Sequence, residues 1–261
     1  MFNREPGRFF ALLIGIDNYS DSPLSGCVND VESISAFLQE RLGVPAATIR
    51  RMVAPIGAVD GADAASELLP TYANIVLALE ELASEKVQPG DRVFIHYSGH
   101  GSYQRIPEAE SYFEGLVPVD FGESGLLFDV VLNPLLQAIA QRSHDLTVVL
   151  DCCHSAGAVR SAVTALENEA VRFLPPRSDA AFPQRMPVSP ATRLSHRGSS
   201  EPLVKQNQEY TVVAACHADE VAAECRVPRG RGRPHGLLTY SLLEALIEVN
   251  PSELSALRWS D

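Results

Sequence analysis

Two apolar segments of the sequence each lead to a residue that can carry out nucleophilic or acid–base chemistry. Residues 92–98 read as a buried strand followed by His100 between two glycines, and residues 146–151 read as another followed by Cys152 and Cys153. A thiol needs a neighbouring base to become a nucleophile at neutral pH, and the ends of two parallel strands are rigid places to hold such a pair. The pattern predicts a thiol nucleophile paired with a histidine base.

The other histidines and cysteines near these segments favour structural roles. His96 lies within the strand, four residues before His100, so we interpret it as a core histidine, because a general base should lie at the strand end. His154 directly follows the cysteine pair and is more typical of a turn residue. A zinc site would need paired Cys-x-x-Cys ligands, and this spacing is missing from the candidate set of Cys152, Cys153, His154, Cys216 and Cys225.

The overall composition indicates a cytosolic protein of one large domain or two small ones. The chain has 261 residues, and 46% of them are hydrophobic, which is enough for a sizeable core. It has no apolar run of the roughly 18 residues that a membrane span needs, and residues 1–8 are too polar for a signal peptide. Five cysteines without regular spacing argue against a disulfide framework and for a reducing compartment. The net charge of −12 disfavours general nucleic-acid binding.

Apolar strands that alternate with amphipathic helices predict an α/β fold with a mostly parallel central sheet flanked by helices. The predicted strands are residues 9–16, 49–53, 92–98, 146–151 and 210–216, and the predicted helices are residues 30–42, 72–82, 132–140 and 236–249. In such sheets, function collects beyond the carboxyl ends of the strands, where His100 and Cys153 both fall.

Residues 172–208 differ from the rest of the chain, because six prolines and many small or basic residues exclude a regular element. We interpret them as a flexible linker between a larger portion, residues 1–171, and a short C-terminal portion, residues 209–261. The chain stops soon after its last predicted helix, as a fragment of a longer protein would. The linker carries basic residues that we expect to be exposed: Arg172, Arg177, Arg185, Arg193, Arg197 and Lys205.

Five ordered motifs resemble those of the caspase-like clan of cysteine peptidases and, within it, of the metacaspases. They are Ala-Leu-Leu-Ile-Gly-Ile at 11–16, Gly-Cys-Val-Asn-Asp at 26–30, Tyr-Ser-Gly-His-Gly at 97–101, Asp-Cys-Cys-His-Ser at 151–155 and His-Gly-Leu-Leu-Thr-Tyr at 235–240. The 53 residues from His100 to Cys153 are close to the ~50 of caspase-type sites. The resemblance implies a caspase-like α/β fold, with a p20-like portion over residues 1–171 and a p10-like portion over residues 209–261.

The resemblance also implies roles for the site residues. Side chains alternate faces along a strand, so Cys152 and Cys153 cannot both face His100. The family pattern Asp-x-Cys-His-Ser makes Cys153 the nucleophile and leaves Cys152 as a buried core thiol. His100 would take the thiol proton, and water would hydrolyse the resulting acyl-enzyme. The backbone N–H groups of Gly101 and Cys153 are the expected oxyanion donors. No Asn or Asp is assigned as a third member, because a dyad suffices in this clan.

The S1 pocket, which binds the substrate residue before the cleaved bond, is acidic in metacaspases and accepts arginine or lysine. The matching residues here are Cys27, Asp30, Ser98 and Asp151. Two carboxylates can bind a guanidinium through paired, charge-assisted hydrogen bonds. Taken singly, Asp30 could instead cap the following helix, and Asp151 could be a turn residue at a strand end. Because both aspartates stand at the positions that form the S1 pocket in the family, the pocket interpretation is favoured. It predicts cleavage after Arg or Lys rather than after Asp.

A calcium site of the metacaspase type is weakened in this sequence. The resemblance implies an acidic cluster after the histidine and then an Asp-Asp pair before the next helix. The cluster here comprises Glu108, Glu110, Glu114 and Asp120. The pair is reduced to Asp129, which Val130 and Val131 follow. Because a hard cation needs several oxygen ligands, we expect no metal site, no strict calcium requirement and no other cofactor.

The expected partners are protein or peptide substrates with Arg or Lys at the cleaved position. Such a protease could cut its own linker, or an upstream protease could cut it there, and a linker that needs no cleavage is an equal alternative. We expect neither a nucleic acid nor a membrane as partner. The basic loop at Arg226, Arg229, Arg231 and Arg233 lacks interleaved aromatic residues.

Three other interpretations stay open at this point. A caspase-like regulatory pseudoenzyme would need a broken dyad, and both members are present. A separase-like or CHAT-type protease would share the dyad but not the Gly-Cys-x-x-Asp motif of Cys27 and Asp30. An unrelated thiol acyltransferase would share neither the linker position nor the motif at Thr239 and Tyr240. Fold alone does not separate these possibilities, but the site does.

Overall fold

A central sheet organises the structure, a computed structural model that describes residues 7–57, 68–106, 111–143, 145–153, 170–176, 210–216, 221–227, 232–250 and 253. In chain order the elements are β1 (Phe9–Ile16), α1 (Cys27–Glu40), β2 (Ile49–Ala54), α2 (Tyr72–Leu82), β3 (Arg92–Ser98), β4 (Gly101–Ile106), β5 (Ser111–Leu116), α3 (Phe121–Ser124), β6 (Leu127–Phe128), α4 (Asp129–Ser143), β7 (Leu146–Asp151), β8 (Ala170–Val171), β9 (Thr211–Ala214), β10 (Ala223–Val227), β11 (Arg233–Gly236) and α5 (Leu237–Glu248).

The central sheet has five strands among the described residues, in the order β2-β1-β3-β7-β9, and each neighbouring pair is parallel. Helices cover both faces, so the inner strands are buried almost throughout, as the continuous apolar runs predict. Leu12 on β1 packs into the cluster that includes α2 and α4, and Leu13 packs into the opposite cluster with α1 and α5. The predicted α/β architecture is confirmed.

The predicted helix at residues 72–82 has the predicted bounds, α4 extends beyond its predicted bounds at both ends, and α1 begins and ends earlier than predicted. Helix α1 begins at Cys27 rather than Asp30. Its first N–H groups donate to Asp17, with Cys27 N at 2.8 Å from Oδ1 and Val28 N at 3.4 Å from Oδ2. Asp30 therefore lies inside the first turn, and the alternative that it caps the helix is wrong.

Two small antiparallel sheets, β4-β5-β6 and β11-β10-β8, stand beside the carboxyl ends of β3 and β7. Neither sheet was predicted, and β6 and β8, with two residues each, are too short to give a sequence pattern. Strand β4 begins at Gly101, three residues after β3 ends at Ser98. His100, the predicted catalytic histidine, lies in the connection between these two strands. The pairing of β4 therefore fixes the path of the main chain directly after His100.

None of the helices described here is both long enough and apolar enough to cross a membrane. None of the five cysteines, all of which lie in the described part of the chain, forms a disulfide, and Cys27, Cys152 and Cys153 are buried.

The close approach of β1 to α1 makes Gly15 sensitive to substitution. A Cβ added there would lie 2.6 Å from the Cys27 carbonyl oxygen and 2.8 Å from Val31 Cγ2. We expect Gly15→Ala to lower the free energy of unfolding by about 1–3 kcal/mol, because a packed strand and helix must separate. The control is Gly122→Ala, where an added Cβ meets nothing within 4 Å. Urea denaturation measures both, and equal stability of the two variants would contradict the close packing.

Candidate active site

The register of β3 against β7 places the predicted catalytic residues at equivalent positions. Ser98 pairs with Asp151, and His100 and Cys153 each follow two residues later in their chains. Both side chains are buried, with 0% and 1% of their surface exposed. The structure thus brings the predicted histidine and cysteine to one edge of the sheet and covers them.

The short segment of residues 170–174 covers the predicted catalytic residues and runs through the site in a strand-like path. Its first residues form β8, which pairs antiparallel with β10 through Val171 and Ala223. Arg172 N then donates to the Ala222 carbonyl at 2.9 Å, and Leu174 N donates to the Gly101 carbonyl at 3.0 Å. The segment therefore lies between β10 and β4, with Arg172 at the centre.

The main-chain carbonyl of Arg172 occupies the predicted oxyanion position. It accepts hydrogen bonds from the backbone N–H groups of Gly101 and Cys153, both at 3.1 Å. Two convergent backbone donors at this distance can stabilise negative charge that develops on a carbonyl oxygen. These are the two donors that the sequence predicted.

The guanidinium of Arg172 fills a pocket built from the predicted S1 residues. It donates to Asp30 Oδ2 at 2.8 Å, to Ser98 Oγ at 2.8 Å and to the Asp151 carbonyl at 3.1 Å. It also lies 3.1 Å from Asp151 Oδ1. The side chain is completely buried, so the expectation that Arg172 is exposed is wrong. Composition predicts a solvated linker residue, but two carboxylates from distant parts of the chain compensate the buried charge.

Cys27, the remaining predicted S1 residue, is also completely buried. Its backbone N–H and its thiol both hydrogen-bond with Asp17. Burial raises the pKa of the Cys27 thiol, and the nearby positive charge of Arg172 counteracts part of that rise. Cys27 therefore contributes a neutral, apolar surface to this region.

Sequence reasoning missed several groups that complete the pocket. Gly236 N lies 3.1–3.2 Å from the two Asp30 carboxylate oxygens. A Cβ on Gly236 would lie 2.2 Å from Arg172 Nη1, so glycine is required for the guanidinium to fit. Glu224 Oε2 is 3.7 Å from Arg172 Nη2, and it adds a third carboxylate. The motif at residues 235–240 pointed to this part of the chain, but β10 and Glu224 had no sequence signal.

Two further groups orient the pocket carboxylates. Thr239 donates to Asp151 Oδ2 through its N–H at 2.8 Å and its hydroxyl at 2.7 Å. His235 Nδ1 lies 2.9 Å from Asp30 Oδ1. Burial alone would raise the pKa of Asp30, but Arg172 and the hydrogen bond with His235 leave that pKa lowered. Asp30 is consequently held as a carboxylate.

The hydrogen bonds of His100 define its tautomer. His100 Nε2 lies 2.7 Å from the Ser22 carbonyl oxygen, which can only accept, so Nε2 carries the proton and Nδ1 presents a lone pair. Among the described residues, Nδ1 has no hydrogen-bond partner. The ring packs against Tyr19 at a centroid distance of 4.5 Å. Burial lowers the pKa of His100 to about 4, so the imidazole is neutral at pH 7. The sequence offered no Asn or Asp to orient the imidazole, and in the structure the Ser22 carbonyl orients it instead.

The two adjacent cysteines lie in different environments, as strand alternation predicts. Cys152 is part of the main hydrophobic core, whereas Cys153 belongs to a separate cluster with Phe173 and Ala222. The Cys153 Sγ accepts a hydrogen bond from Ala222 N at 2.6 Å. A hydrogen bond with Cys216 and burial both raise the pKa of the Cys153 thiol, so the thiol is protonated in this arrangement. The prediction that Cys152 is a core thiol is confirmed.

Two other histidines, His96 and His154, stand close to the predicted catalytic residues in the sequence. His96 is completely buried, and its Nε2 lies 2.9 Å from Thr239 Oγ1. Burial also lowers the pKa of His96. The prediction of a core histidine is therefore confirmed, but the expectation that its polar atoms are satisfied is wrong, because its buried Nδ1 has no hydrogen-bond partner among the described residues. His154 and Ser155 lie outside the described residues.

The acidic residues considered for calcium are only partly described. Glu108 and Glu110 lie outside the described residues, and the Asp120 Oδ1 caps α2 by accepting from Tyr72 N at 2.8 Å. Burial raises the pKa of Glu114 to about 7, with Asp129 contributing, and burial raises the pKa of Asp129 to about 6. The carboxyls of Glu114 and Asp129 therefore hold protons near neutral pH, and a cation that bound there would displace them.

One set of three potential metal ligands, Asp17, Cys27 and Glu224, converges within the described part of the chain. The carboxylates of this set already accept backbone hydrogen bonds. Asp17 accepts from the start of α1, and Glu224 accepts from Ser25 N at 3.0 Å and Gly26 N at 2.9 Å. This arrangement stabilises the helix N-terminus, and it explains the cluster without a metal.

Comparison with known proteins gives a consistent result. The family described as "Metacaspase, peptidase C14 domain" matches residues 10–161. Metacaspase-3 of Trypanosoma cruzi (strain CL Brener) is 38% identical over 188 residues, which cover 69% of this chain and 48% of that protein. Metacaspase-2 of Trypanosoma brucei brucei is 39% identical over 154 residues, which cover 58% of this chain and 42% of that protein. The chain thus spans less than half the length of these curated relatives.

A solved structure shares the fold. The crystal structure of protein GSU0716 from Geobacter sulfurreducens aligns with a TM-score of 0.59 and 18% sequence identity, covering 92% of this chain and 82% of that one. At this identity the likeness concerns the architecture alone. The family assignment rests on the metacaspase match, which covers more than half of the sequence. The chain belongs to the metacaspase family of C14 cysteine peptidases.

Proposed function

We propose that this chain is a cysteine endopeptidase that cleaves after arginine or lysine, with Cys153 as nucleophile and His100 as general base. One observation carries the proposal. Arg172 places its side chain in the acidic pocket and its carbonyl oxygen between two backbone donors, one of which belongs to Cys153 itself. A substrate residue before the cleaved bond needs both contacts at once. The chain's own segment supports the proposal because it makes both.

The reaction follows from these positions. The Cys153 sulfur attacks the carbonyl carbon while the thiol proton passes to His100 Nδ1, and the carbonyl oxygen becomes an oxyanion held by the N–H groups of Gly101 and Cys153. Collapse of the intermediate breaks the C–N bond, and His100 gives its proton to the leaving amine. Water then attacks the thioester with His100 as base, which releases the carboxylate product and restores the thiol. The Ser22 carbonyl keeps the imidazole in the required tautomer.

The buried state favours a neutral dyad over an ion pair. The pKa of His100 is lowered to about 4 by burial, and the pKa of Cys153 is raised by its hydrogen bond with Cys216 and by burial. A resting thiolate–imidazolium pair is therefore disfavoured while the segment covers the site. We infer that proton transfer to His100 accompanies the attack, or follows an opening that admits water.

The pocket charges explain the proposed selectivity. A cation in the pocket compensates Asp30 and Asp151, which are both buried, and Glu224 adds a further negative charge nearby. A substrate aspartate would instead bring another carboxylate into the same low-dielectric region, where like charges repel strongly. Arginine can use several donors at once, whereas lysine offers a point charge. The pocket is thus suited to arginine first and lysine second.

We further propose that the Arg172–Phe173 bond is the first bond that the enzyme cuts. Of the basic residues in the predicted linker, the structure describes Arg172. The others, from Arg177 to Lys205, lie outside the described part of the chain. Because the bond is already seated beside Cys153, cutting within one molecule needs no encounter. An upstream protease would have to extract a completely buried arginine first.

We propose that this catalysis does not strictly need calcium. Val130 and Val131 stand where the family's second acid and the following acid would be, and both pack against the hydrophobic core. At these two positions, apolar side chains therefore replace the oxygen ligands that a hard cation would need.

We expect Cys153→Ala to abolish peptide hydrolysis, because no sulfur remains to form the acyl-enzyme. Cys152→Ala is the matched control, since it removes the adjacent thiol from the core and should leave most of the activity in the folded fraction. Rates with an arginine peptide amide, normalised to the folded fraction from circular dichroism, measure both. Loss of activity in folded Cys152→Ala, with activity kept in Cys153→Ala, would overturn the assignment.

We expect the enzyme to cleave peptides after Arg and Lys but not after Asp, with equal rates in calcium and in chelator. Asp30→Asn should lower kcat/KM for the arginine peptide by about 100-fold or more, because a buried guanidinium loses its counter-charge. Glu32→Gln is the control, since Glu32 lies on the same helix with 50% of its side chain exposed. Efficient cleavage after Asp would contradict the pocket assignment. Activity that returns only with millimolar calcium would contradict the calcium proposal.

Self-cleavage should produce a fragment whose N-terminus is Phe173, with a first-order rate constant that does not depend on protein concentration. Arg172→Gln should block this cut, and Arg177→Gln, five residues further along the chain, should leave it unchanged. The Cys153→Ala protein should stay intact. N-terminal sequencing and mass spectrometry identify the site. An exclusive cut elsewhere in the linker, or no cut under conditions in which added arginine peptides are hydrolysed, would rule out this assignment.

A further inference from the structure

We infer that the surface beyond the cleaved bond forms two specific subsites, which select a large aromatic residue directly after the arginine and an aliphatic residue next. This inference rests on the proposed function and extends it to the other side of the bond. The substrate class would be polypeptides that contain Arg, then Phe or a similar aromatic, then Leu or a similar aliphatic residue. Phe173 and Leu174 of the chain's own segment are the occupants on which the inference is based.

The first subsite is built around Tyr103 of β4. The Phe173 ring stacks against the Tyr103 ring at a centroid distance of 5.8 Å and an interplanar angle of 30°. Phe173 is 6% exposed and belongs to the same apolar cluster as Cys153 and Ala222. An aromatic side chain gains both apolar burial and ring stacking here. A small side chain at this position would leave the space beside the catalytic sulfur unfilled.

The second subsite holds both the main chain and the side chain of Leu174. Its N–H donates to the Gly101 carbonyl at 3.0 Å, and its carbonyl accepts from Ser102 Oγ at 2.7 Å. Its side chain is 7% exposed and joins the main hydrophobic core. The next two residues, Pro175 and Pro176, are exposed. Among the described residues, side-chain recognition therefore covers the two residues after the cleaved bond and not the two prolines that follow.

The two described residues before Arg172 are held mainly through their main chain. Ala170 and Val171 pair with β10, and their side chains, which lie against apolar clusters, are only partly buried. Main-chain pairing supplies affinity that is largely independent of sequence, whereas pockets for individual side chains supply specificity. We therefore assign the sequence preference of the enzyme, outside the arginine pocket, to Tyr103 and the surroundings of Leu174.

The test compares two quenched fluorescent peptides that differ at one position, Ala-Val-Arg-Phe-Leu-Pro and Ala-Val-Arg-Gly-Leu-Pro. Any cleaved peptide must displace the internal segment, so that segment competes equally with both, and the ratio of their kcat/KM values reports the subsite alone. We expect the wild-type protein to favour the Phe peptide by about tenfold or more, from the burial and stacking of one aromatic side chain. A ratio within about threefold of one would overturn the inference.

Variants at Tyr103 separate recognition from fold stability. Tyr103→Ala should reduce the ratio toward one, and Tyr103→Phe should keep it, because the ring is retained. A ratio is insensitive to the fraction of folded protein, so partial unfolding of Tyr103→Ala cannot imitate the result. An unchanged ratio in Tyr103→Ala would overturn the assignment of the subsite. Hydrolysis of both peptides at equal rates refutes only this inference, whereas hydrolysis of neither peptide would refute the proposed function and this inference with it.

Discussion

The buried charge of Arg172 is the interaction on which the arrangement of the site depends. An isolated guanidinium in a protein interior costs several kcal/mol or more in lost hydration, and only close, well-directed acceptors offset that cost. Here the hydrogen-bond acceptors come from α1, from the end of β3 and from the main-chain carbonyl at the end of β7, and the Asp151 carboxylate lies beside the cation as an ion-pair partner. Gly236 and Thr239, at the start of α5, then fix the carboxylates. Asp30 thus binds the cation and also accepts from Gly236, which lies more than 200 residues away in the chain.

The same contacts imply that an empty pocket is electrostatically unfavourable. Without a cation, Asp30 and Asp151 would be buried carboxylates without a counter-charge, and Glu224, which also lies at the guanidinium, would add to their repulsion. The low pKa of Asp30 depends on Arg172 and His235 to overcome burial. The pocket therefore favours the cation of Arg172, and under the proposed function a substrate side chain would bind for the same reason. Occupancy of this pocket and burial of the catalytic pair are coupled, since one five-residue segment does both.

Sequence patterns were sufficient for the parts of the fold that depend on local periodicity. Continuous apolar runs predicted the inner strands, and α2 has its predicted bounds, because its buried side chains repeat with helical spacing. The short strands β6, β8 and β11 have no such periodicity, since pairing rather than propensity defines them. The motif resemblance placed Asp30, Ser98 and Asp151, which the structure brings together. Glu224 and Ser22 were missed because one acts from an unpredicted strand and the other through its backbone. Arg172 was wrongly expected to be exposed, because composition does not report a tertiary counter-charge.

A tethered occupant also changes how the site meets other molecules. A segment joined to the same chain is present at an effective concentration in about the millimolar range, whatever the total protein concentration. A free polypeptide at micromolar concentration therefore competes poorly for the pocket while the segment is intact, even if its intrinsic affinity is the same. Cutting one bond would leave the two ends attached to different parts of the fold, with Leu174 still anchored in the core and Arg172 held by its pocket. After the proposed cut, the site would become available to other polypeptides only once both ends had left it.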